Sequence, residues 1–319
     1  MKHILILFVL LGFAYNLGYS QATDTLSGNI TTTYTLNSSK KYLLLGECRV
    51  KSGGTIVIPA GTRIYGEKTS KGALIIERGG KINAVGAANN PIIFTSAFAP
   101  GNRNAGDWGG IVLLGRAKIN TVSGVDTAAI EGFATSIWYG GNDDNDNSGI
   151  MQYVRIEYAG VALAPNNEIN GLTFGGVGRG TTIDHIQVSF CGDDSYEWFG
   201  GTVNCKYLVS INAVDDEFDT DNGFRGRCQF LLSIKNPLIA DISGSNGFES
   251  DNNGGPNYNG PRTQPIFSNV TFIGPKQYDT STIDPNHQRG MHLRRYSLHN
   301  VYNSIFMGFS QLLSTYLLN

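Results

Sequence analysis

The stretch Ile186-Gln-Val-Ser-Phe-Cys-Gly-Asp-Asp-Ser-Tyr-Glu-Trp-Phe-Gly-Gly201 repeats without a gap as Leu208-Val-Ser-Ile-Asn-Ala-Val-Asp-Asp-Glu-Phe-Asp-Thr-Asp-Asn-Gly223. Asp193 and Asp194 fall on Asp215 and Asp216, Tyr196 on Phe218, and Glu197 on Asp219. A third copy starts at Leu231 and, after an insertion, places Phe248-Glu-Ser-Asp-Asn-Asn253 under Phe218–Gly223. A fourth, upstream at Val154, offers Leu172-Thr-Phe-Gly-Gly176 in the equivalent place. The uninterrupted period is 22 to 23 residues (208 − 186 = 22; 231 − 208 = 23). Two short apolar strands per copy, separated by Gly, Asn and Asp, predict a solenoid of parallel strands.

Composition agrees. Among 319 residues, 41 are Gly, only 16% are charged and 11% are aromatic, which suits many short strands and tight turns. No stretch sustains the period of a long amphipathic helix. A net charge of −2 gives no electrostatic footprint for nucleic acid or an anionic membrane. The start, Met1-Lys-His followed by an apolar run from Ile4 to Ala14 and the small-residue site Gly18-Tyr-Ser20, reads as a signal peptide over 1–20. That run is too short to span a bilayer comfortably, so no membrane span is expected in the mature chain. Secretion or the cell surface is the expected location, with the periplasm as the alternative. Cys205 and Cys228 occupy one position of consecutive copies, about 4.8 Å apart. A disulfide is within reach, but a stack of buried free thiols is preferred, because parallel neighbours point badly for a bond. Neither CxxC nor a Cys/His pattern is present, which argues against zinc.

From Tyr42 the chain reads as short strands ended by Gly, Pro or Asn. The runs Pro59-Ala-Gly-Thr62, Glu77-Arg-Gly-Gly-Lys-Ile82, Asn90-Pro-Ile-Ile-Phe-Thr-Ser96 and Gly106-Asp-Trp-Gly-Gly-Ile111 resemble those of right-handed parallel β-helix proteins of the pectate-lyase-like superfamily. More narrowly, with Asp215-Asp216 and Phe218-Asp-Thr-Asp221, the chain is similar to a family of secreted β-helix proteins from Gram-negative bacteria. The resemblance covers roughly Thr55 to Gly274 and implies a fold and export, not a particular activity. The expected class is therefore all-β: a right-handed parallel β-helix with inserted loops. Its expected boundaries are a capping segment at 21–41, the helix at 42–309, and a cap or truncated end at 310–319. Insertions at 139–149, 251–261 and 277–288 are expected on one loop-bearing side, where a rigid scaffold carries function.

Strand alternation sorts the repeat into faces. Tyr196, Phe218 and Phe248 form an inward column with Leu172, and the stacked Asn222 and Asn252 share that side. The outer face then presents Glu197, Asp219 and Glu249 in one column, and Phe199, Asp221 and Asp251 in the next. Asp193, Asp194, Asp215 and Asp216 stack at the preceding turn. Carboxylates about 4.8 Å apart repel by about 1 kcal/mol per pair in water, and by about 3.5 kcal/mol at an effective dielectric of about 20. Such a stripe raises pKa values or recruits cations, and oxygen-only ligands point to calcium. The bland alternative is a solvated acidic face that discourages edge pairing. Asp144-Asn-Asp-Asn-Ser-Gly149 also begins like a calcium loop, with Asp144 and Asp146 as ligands, but Arg155 stands where the bidentate acid belongs.

Trp138 and Tyr139, beside an insertion, are candidate sugar-stacking residues, and Arg225 and Arg227 candidate contacts to an acidic glycan. Trp198 is expected inside. His185 and His299 sit at strand starts and read as structural. No Ser/His/Asp set and no phosphate-binding loop is present in the sequence. The expected function is therefore cation-assisted recognition or organisation of extracellular polysaccharide or cell-surface material. The alternative is a polysaccharide lyase or glycoside hydrolase; two carboxylates suffice for hydrolysis, but these lack a convincing proton-transfer partner.

Overall fold

The computed structural model describes residues 22–133, 135–164, 167–255 and 258–315, which contain strands and turns but no helix. The expected signal peptide lies outside the described residues. Three parallel sheets wind along one axis. Sheet A stacks Thr33–Thr35, Thr55–Pro59, Lys81–Val85 and the leading halves of Gly149–Glu157, Thr182–Ser189, Asn204–Ile211, Arg227–Ile234 and Ile266–Ile273. Sheet B stacks the start of Lys41–Val50, Arg63–Gly66, Ile92–Ser96 and the trailing halves of the same long strands. Sheet C stacks Ala73–Ile76, Gly110–Leu114, Leu172–Val177, Tyr196–Gly201, Phe218–Asp221, Phe248–Ser250, Arg289–Leu293 and Gln311–Thr315.

The register is the one the repeat demands. Ile186 pairs with Val154 on one side and Leu208 on the other. Tyr196, Phe218 and Phe248 stack on Leu172, all fully buried. Phe174 and Trp198 stack at 5.3 Å between ring centroids, and Tyr196 and Phe218 at 5.3 Å, forming an aromatic spine inside the solenoid. Cys205 and Cys228 are adjacent, and all four cysteines are free and buried. Asp24–Ile30 already pairs in parallel with Lys41–Val50, so the expected capping segment includes a rung of the solenoid. At the other end Gln311–Thr315 pairs with Arg289–Leu293.

Each long strand turns from sheet A to sheet B at one residue. Tyr153, His185, Tyr207 and Phe230 do so with φ of 51°, 54°, 54° and 64°, a region where bulky side chains are rare. Their rings stack on one another at 4.4, 4.4 and 5.0 Å, which offsets part of the backbone cost. His185 is thus a structural rung, as its strand-start position suggests.

The insertions gather at both margins of sheet C rather than along one side. Residues 97–109, 158–171, 235–247 and 274–288 connect sheet B to sheet C, while 115–148 and 251–265 connect sheet C to sheet A. The 115–148 segment carries the hairpin Thr127–Ala129/Trp138–Gly140. Its Ile119, Ile130, Ile137 and Tyr139 pack with Ile75, Val112, Leu114 and Phe199 in a second core on the outer surface of sheet C. That second core covers the earlier strands of sheet C, and the outer face of its later strands carries the acidic column.

Candidate functional site

The floor of the candidate site is one side-chain column followed across seven rungs. Ile75, Val112, Thr173, Glu197, Asp219, Glu249 and His292 are successive register partners. They point outward because Leu172, Tyr196, Phe218 and Phe248, one residue earlier, point in. The column therefore passes from apolar, under the second core, to acidic, to basic. Beside it run Leu114, Gly175, Phe199 and Asp221.

Two groups of carboxylate oxygens converge within 4.8 Å: Asp193, Asp194 and Asp215, and Asp194, Glu197 and Asp219. Asp194 belongs to both. Its Oδ1 accepts the Asp216 N–H at 2.8 Å, so the turn of one coil is held by the acid of the coil before. Asp216 repeats the device one coil on, accepting the Asn246 N–H. Asp215 accepts the Ser243 hydroxyl at 2.9 Å through Oδ2, while its buried Oδ1 has no hydrogen-bond partner among the described residues. Oδ1 of Asp219 is also buried without one. Asn170 donates its amide to Glu197, leaving its own Oδ1 unpartnered, and Thr173 Oγ1, one rung above Glu197, is likewise unpartnered; both residues are 2% exposed. Among the described residues these unpartnered atoms are all oxygens, from two carboxylates, an amide and a hydroxyl.

Burial, reinforced by neighbouring acids, pushes Asp194, Glu197, Asp216 and Asp219 well above the carboxylate range. Burial raises Asp215 and Asp221 to about 7. So many buried carboxylates cannot all ionise side by side without a counter-charge.

The two later acids have a counter-charge of their own. Arg294 bridges Glu249 and Asp251, the latter bidentately at 3.0 and 2.7 Å; Arg295 also meets Asp251 at 2.5 Å. His292 Nδ1 lies 3.2 Å from Glu249. The acids hold Arg294 even more firmly cationic than usual. Sequence reasoning missed His292, Arg294 and Arg295 because the 274–288 insertion lies between their strand and its partner rung. It missed Asn170 and Thr173 because only the folded stack sets them above Glu197.

The remaining candidates lie elsewhere. Asp144 accepts both guanidinium nitrogens of Arg225 at 3.1 and 3.2 Å, and the Lys118 N–H at 3.1 Å. Asp146 accepts the Arg116 N–H at 2.8 Å. Neither joins a convergent group of acids among the described residues. Trp138 is half exposed, whereas Tyr139 is buried, with its hydroxyl accepting the Asn222 amide at 3.1 Å. Alternation within the hairpin strand separates these neighbours, so Tyr139 is a core residue and not a stacking platform. Asn222 thus braces the insertion, and Asn252 likewise meets the 259–263 loop through Thr263 and Asn259. Trp198 is buried, and His299, held at about 3 by burial, bonds Thr220 at 2.8 Å inside the solenoid.

Comparison with known proteins gives one match. The family model described as a pectate-lyase-like beta helix domain aligns with residues 28–315. No curated protein and no solved structure matches the chain. Among the described residues no helix is long and apolar enough to cross a membrane. Coil register, the aromatic spine and a match over nearly the whole solenoid agree: the chain belongs to the pectate-lyase-like β-helix family, which points its function toward carbohydrate.

Proposed function

We propose that this is a secreted or cell-surface carbohydrate-binding solenoid. The outer face of its sheet C takes calcium through Asp193, Asp194, Glu197, Asp215 and Asp219, and through calcium an acidic polysaccharide. The observation that carries the reading is the pair of carboxylate groups sharing Asp194, with buried oxygens of Asp215, Asp219, Asn170 and Thr173 that have no hydrogen-bond partner among the described residues. A hard divalent cation accepts six to eight oxygens in irregular geometry, which suits carboxylates, an amide oxygen and a hydroxyl drawn from several rungs. Coordination left open toward solvent would be completed by carboxylates of the glycan. Arg294 and Arg295 extend the floor beyond the acids, where they would meet further anionic groups.

The test is binding of polygalacturonate by calorimetry, with calcium and then with chelator. Binding that calcium strengthens, with that strengthening abolished by Asp219→Asn, supports the reading; binding that ignores both metal and mutation sinks it. A lyase is the second reading, favoured by the approach of Arg294 to Glu249 and Asp251 beside Asp219. Two carboxylates hold that guanidinium protonated, which suits ion pairing and opposes proton abstraction. An ultraviolet-absorbing unsaturated product from polygalacturonate and calcium would establish the lyase instead.

A further inference from the structure

Arginines from successive coils meet at the margin where sheet C passes into sheet A. Arg179, Thr202, Asn204, Arg225 and Arg227 line a hollow of about 320 Å³. Asn204 and Arg227 are adjacent because their strands are register neighbours in sheet A. Arg225 is fixed rigidly, bonding Asp144 twice and the Gly223 carbonyl at 3.2 Å. Arg179 reaches the same Asp144 carboxylate only at 3.8 Å and stays half exposed. Arg227 is exposed and pairs with no acid among the described residues, and its backbone N–H is accepted by Asn204 Oδ1 at 3.0 Å. That bond sets the Asn204 amide orientation and leaves its NH₂ as a donor. A second hollow of about 420 Å³, sharing Arg225, adds Lys118, Asp126 and Asp144. Together the two hollows hold four cations (Arg179, Arg225, Arg227, Lys118) against two acids (Asp126, Asp144), a surplus of two on a chain whose net charge is −2.

Like charges gathered in this way repel unless an anion joins them. The guanidinium fork matches a planar or tetrahedral oxyanion with two parallel bonds, and one pre-positioned arginine lowers the ordering cost of the first contact. The first hollow is lined by polar and charged side chains alone, which suits a charged group rather than an apolar one. We infer that this margin is a cation-independent subsite for an oxyanion group, sulfate or carboxylate, borne on a polysaccharide. The inference rests on the glycan reading above but not on calcium. The ligand would be held twice: through metal on the floor, and directly at the rim by Arg179, Arg225 and Arg227.

The experiment measures binding of the full chain to dextran sulfate, polygalacturonate and uncharged dextran in chelator, where the cation route is silent. Binding to at least one charged polymer, and none to uncharged dextran, is expected. Arg179→Gln/Arg227→Gln should weaken it at least tenfold and flatten its salt dependence. Arg225 is left intact because it anchors Asp144, and circular dichroism confirms that the double variant is folded. A double variant that binds like its parent overturns the subsite. So does the absence of any charged-polymer binding in chelator, even if calcium restores binding through the floor. Inorganic sulfate that binds as tightly as the polymer overturns the assignment to a glycan. A calcium response that Asp219→Asn leaves unchanged, with chelator-phase binding intact, would sink the floor reading alone and leave the rim standing.

Discussion

At Asp219 two demands meet. Its neighbours Phe218 and Thr220 must face the core, so its carboxyl must face out, onto a column already holding Glu197 and Glu249. Burial, with Glu249 and Asp251 beside it, raises the pKa of that carboxyl well above its ordinary value, so the fold disfavours its charged form. Asp219→Asn should therefore raise the melting temperature of the metal-free protein and remove its rise with calcium, both read by thermal unfolding with and without chelator. The same logic sets a pH dependence. Asp215 and Asp221 titrate at about 7 in the fold against 3.8 ordinarily, so between those values the folded chain keeps protons that the unfolded chain has lost. Their contribution to stability is whole below about pH 4, declines as pH rises to about 7, and is absent above. In chelator the melting temperature should fall across that window, and saturating calcium should flatten the profile. Deeper in, Lys235 and Glu217 form a fully buried ion pair at 3.2 Å, with Lys235 also bonding the Asp215 carbonyl at 2.8 Å. Lys235→Met should cost about 3–5 kcal/mol in denaturant unfolding, and adding Glu217→Leu should recover much of it.

At the scale of elements, strand identity depends on how close one coil lies to the next. Gly149 opens the strand that joins sheets A and B with φ of 114°, and a Cβ there would sit 1.9 Å from the Ile82 carbonyl oxygen. Gly149→Ala should accordingly destabilise by several kcal/mol or block folding, seen as lost soluble yield and a lowered denaturant midpoint. Phe218 stacks on Tyr196 at 5.3 Å and meets Phe248 at 5.8 Å in the spine under the acids. Phe218→Ala should cost about 3–5 kcal/mol and loosen calcium binding too, since Asp219 is aimed by its neighbour's burial.

Over the whole molecule, a solenoid is stabilised by contacts between adjacent coils, so local protection should vary along the axis. Hydrogen exchange should be slowest in Thr182–Ser189, Asn204–Ile211 and Arg227–Ile234, which have partners on both sides, and faster in the terminal strands Asp24–Ile30 and Gln311–Thr315. Calcium should slow exchange in the turns at 193–194 and 215–216 and in Phe218–Asp221, leaving Thr55–Pro59 unchanged. Uniform slowing along the chain would count against a localised site.

The sequence by itself determined the parallel β-helix, the register of its central coils and the existence of an outward acidic column. Those properties follow from a 22-to-23-residue period and a two-residue alternation, both local and ungapped from Ile186 to Gly223. Only the tertiary structure decided which acids share a site. Asp193, Asp194, Glu197, Asp215 and Asp219 converge, whereas Glu249 and Asp251 are matched by Arg294 and Arg295, and Asp144 by Arg225. The physical reason is that insertions of unequal length separate partners in the chain without separating them in space. Arg225 meets an acid 81 residues away and Arg294 one 43 residues away, distances that no repeat period encodes.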